Sequence, residues 1–62
     1  MSLLKVRYLM GRGLSLTQSV DRTIVRDEGI PTKDWAEIRG VSERAVLKNI
    51  EDADAILQET LK

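Results

Sequence analysis

Residues Thr32–Ile50 read TKDWAEIRGVSERAVLKNI, and the spacing within this stretch decides the fold. Ala36 is followed four residues later by Gly40, then by Val41, Ser42 and Val46. Two short helices joined by a tight turn need that order. A small residue such as Ala36 lets the helices touch. Gly40 can take the positive φ that ends the first of them. Val41 plugs the turn and Ser42 caps the second helix. Val46 anchors that helix one turn in, with Val41 and Val46 at the N′ and N4 spacing of a hydrophobic staple. The unit is a helix-turn-helix.

Within the first helix of the pair, Thr32 reads as the cap, and Asp34 complements the positive end of the dipole. Trp35, Ala36 and Ile38 are the expected inward positions. No glycine or proline follows Ser42, so the second helix is expected to run to about residue 60. Its apolar line is Val46, Ile50, Ala53 and Leu57, with Ile56 and Leu61 nearby. That spacing fits packing against another helix.

Upstream, Ser15-Leu16-Thr17-Gln18 fits a capping box and opens a supporting helix. Leu16, Val20 and Ile24 recur every four residues, with Val25 beside them and Arg22 and Arg26 on another face. Gly29 suits the residue after the helix end, and Ile30-Pro31 an extended connector. Residues 3–10, LLKVRYLM, admit two readings. Leu4, Val6, Tyr8 and Met10 alternate with Lys5 and Arg7 as in a strand, while Leu3, Val6 and Met10 share a helical face. Gly11-Arg12-Gly13 is a break. Met1-Ser2-Leu3 fits a cloning remnant as well as native chain. The expected organisation is all-α: a loose N-terminal arm over 1–14, then a three-helix helix-turn-helix domain over 15–62 with a long last helix.

Composition narrows the chemistry. A chain of 62 residues holds at most one domain of modest core. It has no cysteine and no histidine, which removes disulfides, thiolate and imidazole chemistry and the usual zinc sites. No serine has a histidine to activate it, nothing fixes a Ser-Lys geometry, and Asp52 and Asp54 fall on different sides of a helix. No enzyme, metal or cofactor is expected. No apolar run reaches the ~20 residues of a membrane span. A cytoplasmic protein without membrane contact is the expectation. The formal net charge is zero but unevenly spread. Residues 1–48 hold nine Lys/Arg against six Asp/Glu, and residues 49–62 hold one against four, so the front is +3 and the tail −3.

WAEIRGVSERAVLKNI, residues 35–50, resembles the helix-turn-helix of sigma factor region four and of the related response-regulator output domains. The closest likeness is to small archaeal sigma-like helix-turn-helix proteins, in which Trp-Ala precedes Arg-Gly-Val-Ser and then Ala-Val. The resemblance implies double-stranded DNA binding, with the helix after the turn entering the major groove. It puts the recognition positions on Ser42, Glu43, Arg44, Leu47 and Lys48. Arg44 suits guanine O6 and N7, Leu47 a thymine methyl, and Lys48 a base or a phosphate. Thr32 and Lys33, at the start of the preceding helix, would lie near the backbone. Lys5, Arg7 and Arg12 could extend such an interface as a minor-groove arm. The chain departs from the pattern at Arg39, before the turn glycine, and at Asn49, where apolar residues are usual. The expected function is that of a transcriptional regulator acting as a homodimer, with RNA polymerase or another regulator as a further partner. The alternative is a protein-interaction module of the same fold, which the zero net charge favours.

Overall fold

The computed structural model describes residues 2–60. Its helices are α1 (Leu3–Gly11), α2 (Leu16–Arg22), α3 (Thr32–Arg39) and α4 (Glu43–Thr60). A π-helical segment, Thr23–Asp27, continues α2. No strand occurs among the described residues, and none of their helices is long and apolar enough to cross a membrane. Leu61 lies outside the described residues.

The expected loose arm is a helix. Ser2 caps it, its Oγ accepting from the Lys5 amide at 3.3 Å. A single strand would leave its backbone groups unpaired, whereas a helix satisfies them internally. The face it buries is not the expected one: Val6 is buried with Leu9, which neither reading placed inward, while Met10, expected beside Val6 and Leu3, is 44% exposed. Leu3, Leu4 and Tyr8 stay exposed, and the Arg12 guanidinium lies 5.6 Å from the Tyr8 ring centre. Lys5, assigned to a DNA-reaching arm, is held by Asp27 at 2.6 Å. Gly13 turns the chain towards α2 at φ 107°, with Ile56 Cγ2 3.4 Å from where a Cβ would stand.

The capping box forms at the start of α2. Ser15 Oγ accepts from the Gln18 amide at 3.1 Å, and Gln18 Oε1 accepts from the Ser15 amide at 2.9 Å. The apolar line expected along this helix is only partly right. Ile24 is buried, but Leu16 is 58% exposed. In its place α2 buries small polar residues. Ser19 Oγ donates to the Ser15 carbonyl at 2.8 Å and Thr23 Oγ1 to the Ser19 carbonyl at 2.7 Å, so neither hydroxyl costs an unmade hydrogen bond. Such back-bonding perturbs helices, and the π-helical segment begins at Thr23.

α3 starts one residue earlier than the sequence suggests. Pro31 occupies the cap position and its carbonyl accepts from the Trp35 amide at 3.0 Å. Thr32 is therefore the first helical residue, not the cap, and no side chain caps this helix. Gly40 ends α3 at φ 76°, and the Val41 amide reaches back to the Ala36 carbonyl at 3.0 Å. Ile38 does not point inward: it is 70% exposed. Two residues from the buried Ala36, it lies about 200° around the helix, and the inward arc falls on Trp35, Ala36 and Arg39 instead.

Ser42 caps α4 as expected, its Oγ accepting from the Ala45 amide at 3.1 Å. Val46, Ile50 and Ala53 are buried, with Ile56 and Leu57 half-buried. The core has two parts, both walled by α4. Ala36, Val46 and Ile50 pack with Val25 and Trp35, while Leu9, Leu14 and Ala53 pack with Ile56 and Leu57. The apolar face of α4 is thus occupied within one chain, by packing against its own helices.

Candidate nucleic-acid interface

The nominated residues fall on two elements, five at the front of α4 and two in the first turn of α3. Ser42, Glu43, Arg44 and Lys48 are exposed at the start of α4, and Leu47 is 48% exposed. Arg44 and Lys48 are one turn apart and share the face opposite the buried Val46. The Ser42 hydroxyl is already engaged in capping. On α3, Lys33 is exposed and Thr32 half-buried. The outer face of α4 turns acidic at Glu51 and Asp52, which confines any anion-binding stretch to its first two turns.

The structure sorts the cations of the chain in a way that a charge count does not. Arg22 Nε donates to Asp54 Oδ1 at 3.0 Å and Arg26 Nη2 to Asp54 Oδ2 at 2.6 Å. Lys5 is taken by Asp27, and Arg39 by Asp21. Among the described residues, Arg44, Lys48 and Lys33 have no hydrogen bond or ion pair through their side chains. The basic groups left to meet an external anion therefore include the three nominated on α3 and α4. Arg7, on α1, is also uncommitted among the described residues. Ser42, Glu43 and Leu47 join Arg44 and Lys48 in the exposed patch, while Thr32 contributes mainly its place in the first turn of α3.

Behind this patch lies a polar centre that sequence reasoning missed. Asp21 is fully buried. Trp35 Nε1 donates to its Oδ1 at 2.8 Å. Arg39 Nη1 and Asn49 Nδ2 both donate to its Oδ2, each at 2.8 Å. One carboxylate of α2 thus receives two donors from α3 and one from α4. The burial of a charged group is tolerable only with such matching. The two departures from the helix-turn-helix pattern, Arg39 and Asn49, are the residues that supply it. The available signal was the coincidence of three polar residues at apolar positions: Asp21 between Val20 and Ile24, Arg39 before the turn, and Asn49 before Ile50.

Comparison with known proteins adds no identity. No protein-family model, no curated protein and no solved structure matches this chain. Among the described residues there is no pocket, and no group of three or more acidic side chains placed to hold a metal ion.

Proposed function

We propose that this chain is a helix-turn-helix transcriptional regulator that binds double-stranded DNA sequence-specifically, with α4 as the recognition helix. The observation that carries the reading is the uncommitted, exposed pair Arg44 and Lys48 at the front of α4, with Lys33 exposed on α3, in a molecule where Arg22, Arg26 and Arg39 are internally paired. Arg44 reads guanine in the major groove, Lys48 meets a base or phosphate, and Leu47 packs on a thymine methyl. Glu43 accepts from a cytosine amino group or orients Arg44. Lys33 and the first-turn amides of α3 meet phosphate, with Thr32 beside them. In this reading the protein is cytoplasmic, acts as a homodimer on DNA, and has RNA polymerase or another regulator as a further partner.

Selection of bound sequences from a random duplex library tests the reading. Recovery of a defined site, bound with an affinity that falls steeply with salt, is the expected result. The second reading, a protein-interaction module of the same fold, draws on the zero net charge and on the exposed Leu3, Leu4, Tyr8 and Ile38. Absence of binding to any duplex pool at low salt, with the helical signal intact, would favour it.

A further inference from the structure

Apolar packing alone indexes the rotation of α4 less sharply than a directional bond does. Val46, Ile50 and Ala53 on α4 are buried against Ala36, Trp35, Leu9 and Leu14, and the hydrophobic driving force for that burial is non-directional. A hydrogen bond to a fixed acceptor is directional. Such bonds reach α4 at two places: Asp54, in its second half, accepts from Arg22 and Arg26, and Asn49, beside the outward pair, donates to a carboxylate which Trp35 and Arg39 hold from α3. Around α4, Asn49 stands about 100° from Lys48 and about 140° from Arg44. A change in its direction is therefore carried to both outward side chains. At a helix radius of roughly 5–6 Å, a rotation of about 20° moves a side-chain end sideways by about 2 Å, enough to lose a bidentate base contact.

We propose that Asp21 is a positioning residue: through Asn49 it sets the rotation of α4, and so the direction in which Arg44 and Lys48 face DNA. The functional half of this inference rests on the DNA-binding reading; the rotational half does not. It also gives Arg39 and Asn49 a reason to be polar. Apolar residues at these positions would pack α4 without indexing it.

The chain has no cysteine, so two thiols introduced at the exposed Thr17 and Glu51 can carry the only spin labels. The distance distribution between α2 and α4 is then measured in the parent and in Asn49→Ala, which leaves Asp21 with Trp35 and Arg39. The proposal expects the distribution to broaden or shift in Asn49→Ala and to return towards the parent in Asn49→Gln, which keeps an amide donor. An unchanged distribution in Asn49→Ala overturns it. A second variant, Asp21→Leu with Arg39→Leu and Asn49→Leu, replaces the whole centre by apolar groups. Such replacement commonly leaves stability equal or higher. A merely structural centre would be repaired by it. The proposal instead expects a folded protein whose preference for its selected duplex over a scrambled one falls roughly tenfold, about the value of one base contact. Preference equal to the parent's overturns it. If the parent binds no duplex, the DNA-binding reading fails, and the labels alone decide whether Asp21 and Asn49 index α4.

Discussion

Asp21 shows how one side chain can outweigh an entire apolar line. Its three partners are donors in this arrangement, and two of them, the Trp35 indole and the Arg39 guanidinium, can only donate. Asp21→Ala would leave all three without their acceptor. Breaking a buried pair in this way costs about 3–5 kcal/mol. Domains of this length are stable by roughly 3–9 kcal/mol, so the variant is expected to lose about half or more of its stability, seen as a large fall in the denaturant midpoint followed by circular dichroism. Arg44 and Lys48 behave oppositely. They are exposed and engage nothing among the described residues, so Arg44→Ala with Lys48→Ala should leave the helical signal and Tm nearly unchanged. On the DNA-binding reading the same double variant loses its duplex affinity. Unchanged affinity would remove both residues from the interface.

At the scale of elements, what was legible in the sequence was local. The Ser15–Gln18 capping box, the Ser42 cap and the Gly40 helix end each depend on residues within a few positions, and each forms. The line Val46, Ile50, Ala53 was legible because its helical period admits no rival. Residues 3–10 satisfied two periods at once; the segment is helical, but it buries Val6 and Leu9, a face that neither the alternating set nor the Leu3, Val6, Met10 line describes. The inward face of α3 was misread at Ile38 because an apolar residue was preferred over an arginine whose acceptor lay 18 positions away. No local rule connects Asp21 to Arg39 and Asn49. Two substitutions test the turn. Gly40→Ala meets no neighbour within 4 Å but must hold φ 76°, and is expected to lose about 1–2 kcal/mol from backbone strain alone. Ser42→Ala removes one cap and should cost about 1 kcal/mol. Thermal melts of both would measure these losses.

At the scale of the whole molecule, the acidic end does not simply trail away from the basic front. Asp54 folds back onto Arg22 and Arg26, so part of the front's positive charge is neutralised within the chain. Any anionic partner meets a small cationic patch rather than a basic face. If Lys33, Arg44 and Lys48 all reach phosphate, log K should fall against log salt with a slope of about −3 per copy. A slope near zero would count against all three. Sedimentation across a range of concentrations tests the dimer, and a monomer at high concentration would sink it. The position of α4 has a further consequence, for the way the protein opens. Because α4 walls both parts of the core, α4 itself cannot leave one part without disturbing the other. The amides of Val46–Ala53 should therefore exchange with deuterium only through global unfolding and report a common free energy, whereas those of α1, with Leu3 and Leu4 in solvent, should exchange through local fraying. A graded series of protection along Val46–Ala53 would mean that the two halves of the core open separately.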